Sequence, residues 1–398
     1  MLLRTVIFSL LFLTVCADQI PLLLGQQSAH EALVGDPDWS PPLHTEGRLI
    51  VDTHGRRVKL ASINWYGASD ERFVVGGLDV RHRDEIAMVI RQLGFNSVRL
   101  PYSDEMVQDN PVINASDLAA NSDLVGLRAM DVFAAVVQAL TRAKLMVIIN
   151  NHITQATWCC GANLCDTLWY NSHVPFCRVR QTQAQWLDHW DTMMRRFADN
   201  PFVIGADLRN EVRGPLLTWN QWASAAERAG NHLLTINPNW LIFVEGYHSA
   251  DDLTHVSERP VSLDVPNRVV YSSHVYKWGG WGALKMYGYR SWPSFRYAMD
   301  RQWGYILEHH IAPVWVGEMG TPAEPSTHDA VYWQNLVRYL EYADVDFGYW
   351  ALNPRKPHRN EPESYSLLND DWTPRDGDAR LQDLQALMRG YDGFCDIL

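Results

Sequence analysis

From residue 60 onward, short runs rich in β-branched and aromatic residues alternate with longer stretches whose apolar positions recur every three or four residues. The first kind predicts strands over 60–66, 97–101, 145–150, 203–208, 241–245, 269–274, 314–318 and 347–352. The second predicts helices over 83–93, 125–143, 182–198, 219–236, 294–310, 329–342 and 378–388, and only the segment after the fifth strand lacks one. Alternating strands and helices imply an α/β chain with a parallel sheet. Eight such units fit a closed (β/α)8 TIM barrel better than an open sheet, which has fewer strands and carries a Gly-rich phosphate loop that is missing here. Residues 48–62, with a turn at Asp52-Thr53-His54-Gly55, predict an N-terminal β-hairpin plugging the base of that barrel.

Composition narrows this reading. The 398 residues are 47% hydrophobic and 20% charged, an ordinary globular balance, and no Gly/Ser-rich or Pro-rich linker interrupts them. One barrel domain is therefore expected over 46–398, after an extension over 18–45. Residues 1–17 carry Arg4, an apolar run over 6–13 and the small-residue stretch Val15-Cys16-Ala17, the make-up of a signal peptide. That run is well short of the roughly 20 residues that span a bilayer. A secreted, extracellular monomer free of the membrane is expected.

The net charge of -12 argues against nucleic acid and acidic membranes as partners and favours a neutral substrate. Of six cysteines, Cys16 lies in the leader, while Cys159, Cys160, Cys165 and Cys177 share one loop. In an oxidising compartment that crowding predicts disulfides, and with Cys395 the mature count is odd, so one thiol is left over. A zinc site is the competing reading, but it lacks the paired CxxC spacing. Asn114-Ala115-Ser116 is a glycosylation sequon, in keeping with secretion.

Barrel enzymes carry their chemistry at the C-terminal ends of the strands. Those ends bring Asn64 and Trp65, Arg99, Asn150, Asn151 and His152, Asn210 and Glu211, His274 and Tyr276, Glu318, and Trp350 and Asn353. Two carboxyl groups from different strands are the equipment for cleaving a sugar acetal, since one must protonate the leaving oxygen and the other must meet the anomeric carbon. Mutual repulsion raises the pKa of one, and a cation such as Arg99 lowers that of the other. His152 and His274 with a carboxylate could instead suggest a metallohydrolase, but no HxH or HExxH spacing is present, so neither metal nor cofactor is expected.

These strand ends resemble glycoside hydrolase family 5, the cellulase family, at Arg99 in Val98-Arg99-Leu100-Pro101, His152 in Asn150-Asn151-His152, and the pair Asn210-Glu211. The likeness continues at His274 and Tyr276 in Ser273-His274-Val275-Tyr276, Glu318 in Trp315-Val316-Gly317-Glu318-Met319-Gly320, and Trp350 in Tyr349-Trp350-Ala351-Leu352-Asn353. It runs from about residue 46 to 390. The resemblance implies Glu211 as acid/base, Glu318 as nucleophile oriented by Tyr276, and Asn210 on the sugar 2-hydroxyl. It also implies His274 beside the acid/base, Arg99 and His152 lining the bottom of the reacting subsite, and Trp350 as the sugar platform.

The sequence departs from the family's Asn-Glu-Pro with Asn210-Glu211-Val212, and the literal Asn360-Glu361-Pro362 follows the last strand in a loop-like run. Only Glu211 has the apolar strand lead. Glu245 also ends a strand, but without a neighbouring Asn it reads as a buried supporting group. Trp158-Cys159-Cys160 is similar to a plant and fungal subset of the family.

Of seventeen tryptophans, Trp65, Trp158, Trp169, Trp278, Trp281 and Trp292 fall after strands and are candidate subsite platforms, whereas Trp186, Trp190, Trp222, Trp303 and Trp333 read as packing. The expected activity is retaining hydrolysis of a β-linked glucan or related polysaccharide, an endo-β-1,4-glucanase first. A β-mannanase, an exo-β-1,3-glucanase, a glycolipid-directed glycosidase and a non-catalytic carbohydrate-binding barrel are the alternatives.

Overall fold

The computed structural model describes residues 38–161, 163–280, 286–356 and 361–389. Its centre is a closed barrel of parallel strands, β3 (Ala61–Asn64), β4 (Ser97–Ser103), β5 (Met146–Ile153), β6 (Val203–Asp207), β7 (Leu241–Glu245), β8 (Val269–Val275), β9 (Val314–Met319) and β10 (Asp346–Tyr349). The ring closes where Phe347 of β10 pairs with Ala61 of β3 and Tyr349 with Ile63. All eight predicted strands are present, each within a few residues of its expected span.

The helices return the chain along the outside: α1 (Arg83–Gln92), α2 (Asp104–Asp109), α3 (Ala129–Arg142), α4 (Gln183–Met194), α5 (Trp219–Ile236), α6 (Trp292–Met299), α7 (Tyr305–Glu308), α8 (Thr327–Ala343) and α9 (Ala379–Met388). Thr218 starts α5 through a capping box, its side chain accepting from the Gln221 N–H while Gln221 reaches back to the Thr218 backbone. The apolar stripe of α5, with Trp222, Ala226 and Leu233, is buried against the barrel. As the pattern predicts, no helix follows β7 before β8.

The predicted reversal at Asp52-Thr53-His54-Gly55 is present, with the Asp52 N–H donating to the Arg56 carbonyl at 3.0 Å and Val51 bridged to Arg57, and a further hairpin precedes it. β1 (His44–Glu46) pairs with β2 (Leu49–Val51) around Gly47, whose φ of +54° suits glycine. Asp52 caps the predicted reversal, accepting from the N–H groups of His54 at 2.8 Å and Arg56 at 2.9 Å, because its short carboxylate reaches its own backbone there. Leu43 and Ile50 then join Met146, Ile148, Leu241, Phe243 and Trp315 in one apolar cluster that fills the base of the barrel. A second, larger core lies between strands and helices. With both regions packed, the polar strand ends are left at the mouth. Among the described residues no helix is long and apolar enough to cross a membrane.

Candidate active site

Arg99, near the middle of β4, is fully buried and serves as a hub. Its guanidinium donates to Asp207 Oδ2 at 2.7 Å, Asn210 Oδ1 at 2.7 Å, Glu245 Oε1 at 3.0 Å, Glu318 Oε1 at 2.5 Å and Asn64 Oδ1 at 3.1 Å. The planar five-donor fork suits such branching, which a lysine cannot reproduce. Three carboxylates around it raise its affinity for its proton further. Asn64 also clamps the barrel seam, donating to the carbonyls of Gly317 at 3.1 Å and Tyr349 at 3.2 Å.

Glu318, near the end of β9, accepts from Arg99 on one oxygen and from the Tyr276 hydroxyl on the other at 3.0 Å. Two donors, one cationic, suit a carboxylate in its ionised form. Gly320, two residues on, lets the chain approach β10: a Cβ there would stand 2.3 Å from the Trp350 carbonyl oxygen.

Glu211 follows β6 with φ at +48°, a left-handed conformation that costs about 1 kcal/mol or more for a non-glycine residue. Surrounding bonds hold it. Its N–H donates to Glu245 Oε2 at 2.6 Å, and the preceding Asn210 N–H donates to the Asn151 carbonyl at 2.9 Å. The side chain, 16% exposed, meets His274 Nδ1 at 3.0 Å. One oxygen of Glu211, one of Glu318 and a His274 ring nitrogen lie within 4.8 Å of one another.

The two carboxyl groups have different surroundings. Desolvation pushes Glu211 up to about 7 against the opposing pull of Arg213 and Arg99. Burial likewise depresses His274 to about 4, and pushes His152 well below the ordinary histidine range with help from Arg99, so both rings are neutral at pH 7. His152 Nδ1 bonds Asn150 Oδ1 at 2.8 Å, and Asn150 donates in turn to Asp207 at 3.0 Å.

Above this floor stands an aromatic wall. Trp350 lies parallel to Tyr66, with centroids 4.7 Å apart and planes 5° apart, and nearly parallel to His152 at 5.9 Å. The edge of Trp158 meets both Tyr66 and Trp350. Trp278 is half exposed and stacks on Tyr276 at 4.6 Å. The loop beneath Trp158 is stapled by a Cys165–Cys177 disulfide and a bond between Cys159 and Cys160, whose sulfurs accept from Asn210 Nδ2 at 3.2–3.4 Å.

The structure thus gathers Arg99, His152, Asn210, Glu211, His274, Tyr276, Glu318 and Trp350 at one mouth. Three candidate aromatics lie elsewhere. Trp65 is fully buried on the helix side of β3, donating to the Gly76 carbonyl at 2.9 Å, because the alternation of the strand end turns Tyr66 and not Trp65 toward the cleft. Trp169 is buried between Trp186 and Trp222, where the stapled loop folds back onto α4 and α5. Trp292 opens α6 and packs against Tyr339 with Arg338 over its ring.

Trp281, Cys395 and residues 1–17 lie outside the described residues. Glu361 is exposed on a two-residue ladder with Lys356, as its loop-like context implies. The sequence reading missed Tyr66, Asp207 and Glu363, which accepts from the Tyr66 hydroxyl at 3.1 Å. A charged Asp207 inside an apolar strand was the available signal.

By spacing, Glu211, His274 and Glu318 could offer atoms to a cation, as could His152, Cys159 and Cys160. In the first set Glu318 is already neutralised by Arg99, and in the second the sulfurs are bonded to each other, so neither is a favourable cage.

The family model described as cellulase (glycosyl hydrolase family 5) matches residues 51–356. The chain is 35% identical over 349 residues to an endoglucanase of Paenibacillus polymyxa, covering 83% of each. It is 28% identical to the major extracellular endoglucanase of Xanthomonas campestris pv. campestris, covering 86% of this chain and 70% of that protein. Among solved structures it is similar to the catalytic domain of that Xanthomonas enzyme, with TM-score 0.73, 26% identity and coverage of 87% and 99%. It is also similar to a Pyrococcus horikoshii endocellulase in complex with cellotetraose, with TM-score 0.72, 25% identity and coverage of 88% and 100%. A barrel with this mouth, matched by that family model over most of its length, belongs to glycosyl hydrolase family 5, the cellulase family.

Proposed function

We propose that the chain is a secreted, retaining endo-β-1,4-glucanase, with residues 1–17 as its leader and 46–398 as its catalytic domain. The observation that carries the reading is the pair of carboxyl oxygens within 4.8 Å, one on a group pushed up to about 7 and the other bound by Arg99 and Tyr276. Retaining enzymes hold their carboxyl groups about 5 to 5.5 Å apart, whereas inverting ones leave about 6.5 Å or more for a water.

In this mechanism a Glu318 oxygen attacks the anomeric carbon while the bond to the leaving sugar oxygen breaks and that oxygen takes the proton of Glu211. Water then attacks the glycosyl ester, giving a proton to Glu211 as Glu318 departs. Trp350 offers an apolar face to the C–H face of the sugar, and Asn210 sits where it can reach the 2-hydroxyl. The names of the Paenibacillus and Xanthomonas relatives support a glucan cut internally.

The test is a panel of cellulose, β-mannan and laminarin oligosaccharides with the first product followed by NMR. A β-anomer from a β-1,4-glucan, lost in Glu318→Ala, is expected. An α-anomer overturns double displacement, and cleavage of mannan or laminarin alone overturns the substrate.

A further inference from the structure

We infer that Glu245 works as an uncharged carboxylic acid that donates to His274 Nε2, and so fixes His274 in the tautomer whose Nδ1–H supports Glu211. The inference deepens the proposed function, since it assumes Glu211 as the acid/base.

Glu245 ends β7, is fully buried, and its carboxyl group faces Arg99, the Glu211 backbone and His274. Oε2 accepts the Glu211 N–H at 2.6 Å, and Oε1 accepts from Arg99 at 3.0 Å and stands 3.5 Å from His274 Nε2. On the far side of the ring, Nδ1 meets Glu211 Oε1 at 3.0 Å. His274 Nε2 is buried and makes no hydrogen bond of its own, so a partner is owed to it.

Which ring nitrogen of a neutral histidine carries the proton is set by what the other one faces. An ionised Glu245 can only accept, and would draw the proton to Nε2, leaving a bare Nδ1 lone pair against Glu211. A protonated Glu245 can donate to Nε2 and still accept from Arg99 on the same oxygen. Nδ1–H then donates to Oε1 of Glu211 whether or not Glu211 is ionised, and Oε2 stays available to the leaving group.

Charge favours this arrangement. The groups facing Glu245 are Arg99 from β4, Asp207 from β6, the Glu211 backbone, His274 from β8 and Glu318 from β9, with Arg99 as the one full positive charge among them. Three buried carboxylates on one guanidinium are one or more charges too many, and the fully buried member best placed to hold a proton is Glu245. Burial and the neighbouring Asp207 push it well above the usual carboxylate range.

The primary test is long-range 15N NMR of protein labelled at histidine, with His274→Asn used to assign the ring signals. A proton on Nδ1 and a bare Nε2 between pH 5 and 8 is expected, and a proton on Nε2 overturns the inference. Turnover plays no part in that readout, so a protein that failed to cleave glucans would leave it intact.

The second test is Glu245→Gln, an uncharged side chain of the same shape whose amide N–H can take over the donation to Nε2. The alkaline limb of kcat/KM should stay where it is in the parent, because one uncharged group replaces another. Had Glu245 been ionised, removing its charge beside Glu211 would move the limb downward, so a downward shift overturns the inference. Loss of stability alone would lower the active fraction without moving the limb.

Discussion

The Arg99 guanidinium meets Glu318 at 2.5 Å with neither group open to bulk water, and the same guanidinium serves Asp207 and Glu245. Arg99→Met takes the shared cationic donor from Asp207, Glu245 and Glu318, leaves buried negative charge uncompensated and should cost about 3 to 5 kcal/mol in stability. Arg99→Lys keeps a charge but loses the fork, so it should fold and still lose about 10² to 10³ in kcat. Urea unfolding and steady-state kinetics check the pair. Equal kinetics for Arg99→Lys and the parent would mean that the charge alone suffices.

Tyr276 contributes one hydroxyl to the other oxygen of Glu318 at 3.0 Å. A hydrogen bond to a charged group is worth about 1.5 to 3 kcal/mol. Tyr276→Phe should therefore lower kcat roughly 10- to 150-fold, while the ring keeps its stack on Trp278 and Tm moves little. A kcat within twofold of the parent would remove Tyr276 from the nucleophile's support.

In the proposed mechanism Glu211 must be protonated to act as acid, and that sets the pH dependence. With its ionisation raised to about 7, kcat/KM should fall above about pH 7. Stability carries a trace of the same shift at lower pH. Between the unfolded value of 4.5 and about 7 the folded chain binds more protons than the unfolded one, so stability declines as pH rises through that window. Glu211→Gln should remove that decline, a gain of about 3 kcal/mol relative to the parent at pH 8. Urea titrations at pH 4 and 8 measure it.

Much of this was legible in the chain because a parallel barrel writes a simple code. Each strand is a short apolar run, each helix a longer periodic one, and the polar residue ending each run is at the mouth, as with Glu318 after Val314 and Val316. What escaped was which way a residue faces once the strand has ended. Trp65 and Tyr66 are neighbours, and a single step of alternation sends one to the core and the other against Trp350. Asp207 was hidden differently, as the interior partner of an Arg99 that lies far from it in sequence. The reversal at Asp52-Thr53-His54-Gly55 was legible from its turn residues, with Gly55 left-handed at φ +74°, whereas the β1–β2 hairpin around Gly47 just before it was not.

Trp278 separates binding from chemistry. It is 53% exposed and lies 8° from parallel with Tyr276, so one face covers the tyrosine beside Glu318 and the other is open to a sugar ring. An aromatic face of this kind contributes about 1 kcal/mol to a stacked partner, or roughly fivefold in affinity. Trp278→Ala should raise KM about fivefold for cellotetraose and longer chains, and Trp278→Phe should recover most of it. On an aryl cellobioside too short to reach the ring, kcat and KM should stay near the parent's values. An equal loss on long and short substrates would instead mean that Trp278 acts through Tyr276 and Glu318, and the ring would then belong to the reacting subsite.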